Sequence, residues 1–170
     1  RYTNAEIESS SYKSSNQWQC VGPWDFDQHA ASRSYAPGAA HVYTVEQSLS
    51  NSNVLYAGTA TAGAWKTTDK GMNWSLITKD LELNGVYAIE IDFTDFNTIY
   101  ISGNGGIYKS VDGGINFTSI STGLPNVTKN SIKHQALHTK NPLFLGTSLG
   151  VYRYDDDTLM WELFNNNLPN

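Results

Sequence analysis

The sequence predicts an all-β fold built from repeated four-stranded antiparallel blades, and three observations carry the prediction. The unit Thr67-Thr68-Asp69-Lys70-Gly71-Met72-Asn73-Trp74 returns 43 residues later as Ser110-Val111-Asp112-Gly113-Gly114-Ile115-Asn116-Phe117. Its surroundings repeat as well: Leu55-Tyr56-Ala57-Gly58, Ile99-Tyr100-Ile101-Ser102 and Leu143-Phe144-Leu145-Gly146 begin at steps of 44 residues. A period of about 40 to 50 residues is that of one four-stranded blade. The runs between the turns are short, rich in β-branched and aromatic residues and punctuated by Gly, Asn or Pro, and no sustained helical period interrupts them.

Taken in order, the first unit has an inner strand over residues 41–47 and then the turn residues Asn51-Ser52-Asn53. Strands follow over 54–59, 63–68 and, after the repeated unit, 73–78. The second unit repeats the pattern over 86–92, 98–103, 106–111 and 116–121, and the third over 132–138, 143–147, 151–154 and 160–164. Leu124-Pro125-Asn126 returns as Leu168-Pro169-Asn170 and marks a unit boundary, while Gln17-Trp18 stands where Asn73-Trp74 and Asn116-Phe117 stand. The chain therefore divides into 1–21, the end of a preceding blade or an N-terminal segment, and a blade over 22–80 with an insertion at 22–40. A second blade covers 81–125, and a third, degenerate one covers 126–170. Closed β-propellers use about 4 to 8 blades, and an open arc leaves sheet edges uncovered. Three blades and a partial one are thus expected to be a fragment of a larger β-propeller.

The repeated unit has a physical role in its hairpin. Asp69 and Asp112 can accept hydrogen bonds from turn amides and from the hydroxyl of Thr67 or Ser110. Gly71 and Gly114 supply a backbone conformation that a Cβ would penalise, and Trp74 and Phe117 fold back over the apolar base of the hairpin. A third copy, Tyr154-Asp155-Asp156-Asp157-Thr158-Leu159-Met160-Trp161, keeps Asp156 and Trp161 without the hydroxyl or the glycine, so its turn is expected to be looser. These aspartates lie far from the blade axis in the expected topology and read as structural rather than catalytic or metal-binding. The run Asp155-Asp156-Asp157 reads as a solvated turn, because Ca²⁺ needs several converging oxygens.

Composition narrows the function classes. The 170 residues carry a net charge of −5 and a pI near 5.2, which offers no electrostatic footprint for nucleic acid. No apolar stretch approaches the length of a spanning helix, so membrane insertion is not expected. Arg1 reads as a processed or trimmed end, with no initiator Met or signal peptide before it. The single Cys20 cannot form an internal disulfide and reads as a small core residue. No cofactor is expected, and His29, His41, His134 and His138 fit no zinc motif, the last two being placed on one face of a strand.

With period, motif and strand pattern together, the repeated unit resembles the Asp-box of BNR-like propellers. The chain as a whole is similar to sortilin-type Asp-box β-propellers, especially secreted type IX secretion system proteins of Bacteroidetes-like bacteria. The resemblance covers about Gln17 to Asn170. Its carriers are Trp18-Gln19-Cys20-Val21-Gly22-Pro23, the segment from Gly58 to Asp69 that contains Trp65-Lys66-Thr67-Thr68, and Asn51-Ser52-Asn53-Val54-Leu55-Tyr56, which lacks the family's usual proline. The shared residues are structural, so they speak for fold more than for function. The resemblance implies a secreted or cell-surface protein acting as an adhesin, a component of a surface complex or a peptide-holding module. It also makes Thr158, in Asp157-Thr158-Leu159, a candidate O-glycosylation site.

An activity is best sought in the insertion at 22–40, which enters an inner strand on the face opposite the repeated hairpins. Trp24, Phe26, His29 and Arg33 give it aromatic platforms and hydrogen-bonding groups suited to peptide or sugar contact. The sequence reading is a non-enzymatic propeller that binds or assembles with another protein, with further blades of the same polypeptide, or with a glycan. The alternative is part of a glycoside hydrolase propeller, xyloglucanase-like ahead of sialidase, since Arg1, Arg33 and Arg153 cannot supply a sialidase arginine cluster. Among Asp25, Asp27, Glu46, Glu90 and Asp92, no spacing singles out a catalytic carboxylate pair, and no catalytic residue is assigned.

Overall fold

The computed structural model describes residues 41–165 except 82, 84, 137 and 141. Within them the chain forms three four-stranded antiparallel sheets and no helix. The first sheet holds β1 (Val42–Gln47), β2 (Leu55–Thr59), β3 (Ala64–Thr67) and β4 (Ser75–Leu76). The second holds β5 (Val86–Ile91), β6 (Ile99–Gly103), β7 (Gly106–Ser110) and β8 (Thr118–Ser119). The third holds β9 (Lys129–His134), β10 (Leu143–Thr147), β11 (Gly150–Tyr154) and β12 (Trp161–Leu163). Strands pair in chain order in every sheet, so each blade is a meander.

Side-chain alternation explains why the sheets stack. Successive residues of a strand point to opposite faces, and in β6 both faces are covered. Ile99 and Ile101 pack with Val54, Tyr56 and Val86 in the cluster between the first two sheets. Tyr100, between them in sequence, packs with Ile132, Leu143, Leu145 and Trp161 in the cluster between the second and third. The middle sheet is therefore apolar on both sides, as sheet-on-sheet packing requires.

The repeat is kept at the level of register. Glu46 pairs with Tyr56, Glu90 with Tyr100 and Lys133 with Phe144. Each inner strand carries a register shift, at Val42/Thr44, Val86/Ala88 and opposite Gly146/Thr147. The third inner strand begins at Lys129, three residues before the sequence reading, and ends at His134 rather than at 138. Lys129 pairs with Thr147 beyond the shift, which lengthens the strand at its start, and the Gln135 N–H turns to the Pro142 carbonyl at 2.9 Å. The outermost strands are shorter than expected, with two residues each in β4 and β8.

Candidate functional site

The hairpins after β3 and β7 use their repeated residues in the same way. The Thr67 hydroxyl donates to Asp69 Oδ1 at 2.7 Å and accepts the Gly71 N–H at 3.0 Å. Asp69 in turn accepts the Asn73 N–H at 2.9 Å and the Asn73 side-chain amide at 2.6 Å. Ser110, Asp112, Gly114 and Asn116 reproduce this set at 2.8, 2.9, 2.9 and 2.7 Å. The side-chain and backbone bonds from Asn73, with the Thr67 hydroxyl, hold the Asp69 carboxyl down at about 2. The backbone and side-chain bonds from Asn116, with the Ser110 hydroxyl, do the same for Asp112, also at about 2. Trp74 and Phe117 are half-buried beside these turns, and the Trp74 indole N–H donates to the Gly71 carbonyl at 3.1 Å.

The third hairpin departs from the alignment. Its turn is capped by Asp155, whose Oδ1 accepts the Asp157 N–H at 3.2 Å, the Thr158 N–H at 3.1 Å and the Thr158 hydroxyl at 3.3 Å. Asp156, the residue that sequence spacing puts in the capping place, instead meets Lys109 Nζ of the neighbouring blade at 3.2 Å. Tyr154, standing where Thr67 and Ser110 stand, has its hydroxyl at the far end of a ring rather than beside the turn amides, and the carboxylate before Asp156 takes over. Trp161 is buried, and its indole N–H donates to the Ile120 carbonyl at 2.6 Å.

The link from Lys109 to Asp156 belongs to a recurring seam. Lys66 Nζ reaches the Gly113 carbonyl at 2.9 Å, the same step of one blade, and each ammonium lies about 5.5 Å over a tyrosine ring, Tyr56 or Tyr100. Arg153, third in the series, turns back to Asp155 at 3.1 Å. The repeated hairpins therefore join blades.

Among the described residues, a cavity opens at the ends of β1, β5 and β9. It has a volume of about 300 Å³ and is lined by Glu46, Glu90, Asp92, Lys133 and His134 with an apolar rim that includes Leu49 and Phe93. Glu46, Glu90 and Lys133 occupy equivalent rungs of the three inner strands, so the repeat itself brings them together. Lys133 Nζ lies 3.1 Å from Glu46 Oε1 and 2.6 Å from Glu90 Oε2. Burial lowers the Lys133 ammonium, but its bonds to Glu90 and Glu46 outweigh that, and the net shift is upward. Glu90 Oε1 also accepts the His134 N–H at 2.9 Å, so the buried carboxylate is held at both oxygens.

Asp92 and His134 close the floor. Burial raises the Asp92 carboxyl, while bonds from the Thr94 N–H and hydroxyl and the Asp95 N–H, with the charge of His134, reverse this, and the net shift is downward. Asp92 Oδ2 lies 3.8 Å from His134 Nε2, beyond hydrogen-bond range. The His134 ring is 4 % exposed, and among the described residues neither of its nitrogens has a hydrogen-bond partner. His138 does not share its strand face as the sequence suggested. It lies outside β9, where its Nδ1 accepts the Lys140 N–H at 3.1 Å.

Trp24, Phe26, His29 and Arg33 lie outside the described residues. Sequence reasoning named Glu46, Glu90 and Asp92 without finding their partner. The signal was present: Glu90 follows Glu46 by 44 residues, and Lys133 follows Glu90 by 43. Among the described residues no cluster of His, Cys, Asp or Glu is arranged to hold a metal, and no helix is long and apolar enough to cross a membrane.

No protein-family model matches the sequence, and no curated protein matches it. Solved structures do resemble the fold. Over 72 % of this chain, the GH74 enzyme of Niastella koreensis superposes with a TM-score of 0.57 at 26 % identity, and an ancestral GH74 enzyme with 0.55 at 20 %. YCF48 bound to D1 peptide superposes with 0.55 at 18 % identity, again over 72 % of this chain. The chain spans 21 %, 18 % and 40 % of those three chains respectively. Meander sheets stacked in chain order, with inner strands side by side and the same arrangement in these propeller structures, make the three sheets blades of a β-propeller.

Proposed function

We propose that the chain belongs to a secreted or cell-surface propeller that acts as a non-enzymatic binding or assembly scaffold for a protein or a glycan. The observation that carries this reading is the state of the inner-strand carboxylates. Glu46 and Glu90 share one ammonium, at 3.1 and 2.6 Å, so the two carboxylates meet a cation rather than facing each other across an open cleft. The fold similarity to YCF48 bound to D1 peptide supports a polypeptide partner. The sortilin-type, type IX secretion resemblance rests on the repeated hairpin and on Trp18-Gln19-Cys20-Val21-Gly22-Pro23. Thr158 is the proposed O-glycan acceptor, supported by its exposure.

The insertion at 22–40, with Trp24, Phe26, His29 and Arg33, is the proposed contact. Replacing Trp24 and Arg33 together by Ala is expected to weaken binding on peptide and glycan arrays by about tenfold or more without changing the melting temperature. Binding that survives unchanged moves the contact off this insertion. The 26 % identity with a GH74 enzyme supports a second reading, part of a glycoside hydrolase propeller whose catalytic residues lie partly outside this stretch. Release of reducing ends from xyloglucan by the whole protein would establish it and overturn the scaffold reading.

A further inference from the structure

We propose that the cavity at the ends of β1, β5 and β9 accepts a cationic group on an aliphatic stem, a lysine or arginine side chain of a partner polypeptide, between Glu46, Glu90 and Asp92. The inference shares with the scaffold reading only the premise that the propeller binds a polypeptide. It concerns the end of the sheets opposite the one at which β1 begins.

Charge is the first argument. Three carboxylates face the cavity against one ammonium, and that ammonium is on a side chain that is 64 % exposed. An exposed ion pair contributes little and exchanges readily with another cation. Its partner Glu90 is different: only 12 % exposed and fixed by the His134 N–H, it is a preorganised acceptor that stays in place when Lys133 swings away. Lys133 thus occupies the seat that an incoming ammonium or guanidinium takes.

His134 is the second and independent argument. A ring 4 % exposed whose two nitrogens find no hydrogen-bond partner among the described residues is an exception among buried polar groups, and such exceptions call for a missing partner. A neutral imidazole has one acceptor nitrogen. A guanidinium or ammonium seated against Asp92, whose Oδ2 lies 3.8 Å from His134 Nε2, reaches that buried nitrogen once the ring turns toward the cavity. Leu49 and Phe93, both exposed at the rim, provide the apolar contact that a long cationic side chain needs along its stem.

The test uses the full chain with an acetylated, amidated tri-arginine peptide and its tri-glutamate counterpart. Binding is read by calorimetry and by nuclear magnetic resonance of the His134 ring. The tri-arginine peptide is expected to bind and to shift the His134 ring signals, and tri-glutamate is expected not to bind. Lys133→Met removes the internal competitor and should tighten tri-arginine binding by about fivefold, the scale of an exposed ion pair. Glu90→Gln should weaken it by about tenfold or more. Glu46→Gln and Asp92→Asn provide the same reading should Glu90→Gln fail to fold. Weaker tri-arginine binding in Lys133→Met, preference for tri-glutamate, or binding without any change at His134 would each overturn the proposal. Array binding that depends on Trp24 and Arg33 while tri-arginine leaves His134 unmoved would remove this inference and leave the scaffold reading standing.

Discussion

At the residue scale, the aspartates of the repeated hairpins tie stability to pH. Asp69 and Asp112 have their carboxyls lowered from 3.8 to about 2 in the folded protein. A depressed carboxylate binds its proton less readily when folded than when unfolded. Its stabilising contribution is therefore complete above the unfolded value and is lost as the pH falls through the folded one. Stability should decline between about pH 4 and pH 2, and the Asp69→Asn, Asp112→Asn double variant should show a shallower decline over that window. Melting temperatures across the acid range check this, and parallel curves for the two proteins would rule it out. Asp155, also held low by its Thr158 bonds, adds to the same acid slope in both proteins and so cancels from the comparison.

At the element scale, the connection from the second blade to the third depends on Gly123. Its φ is +89°, in the region that favours glycine, and a Cβ there would lie 2.6 Å from the Trp161 carbonyl oxygen. That oxygen is backbone of β12 and cannot move aside as a side chain would, while the Trp161 N–H is itself bonded to the Thr122 carbonyl at 3.0 Å. Gly123→Ala should cost about 1–3 kcal/mol from backbone conformation alone, and more once β12 is displaced. Denaturant unfolding checks this. Gly146 makes the contrasting case. Its added Cβ would meet the Ser131 hydroxyl oxygen at 2.6 Å, a side-chain end that can rotate away, so Gly146→Ala should be tolerated better.

At the scale of the whole molecule, stability comes from faces shared between blades. Ile101 is fully buried between the first and second sheets, so Ile101→Ala should cost about 2–5 kcal/mol. Val45 is a strand residue of the same chemical kind on β1, yet it is 53 % exposed, and Val45→Ala should cost much less in the 170-residue chain. Equal losses in midpoint would mean that the Val45 face is covered in solution. A blade alone has too little core: Tyr56 owes its burial to the second blade, and its hydroxyl donates to the Phe96 carbonyl at 3.1 Å across the seam.

What the sequence by itself determined was whatever depends on local pattern and period. The alternation of Ile99, Tyr100 and Ile101 fixes a strand covered on both faces, and the spacing of Thr67, Asp69, Gly71 and Asn73 fixes a hairpin whose Thr67 and Asp69 capping bonds close within five residues. Such contacts are encoded where they occur. The tertiary structure alone decided what joins distant rungs. Lys133 meets Glu46 and Glu90 only because three inner strands lie side by side, bringing together residues 87 and 43 apart in sequence. It also decided that Asp156 meets Lys109 of the neighbouring blade across the seam, while Asp155 caps the third turn. Charge and hydrogen-bond partners at a blade boundary depend on how two sheets pack, and that geometry is set by both sheets together rather than by either segment's own pattern.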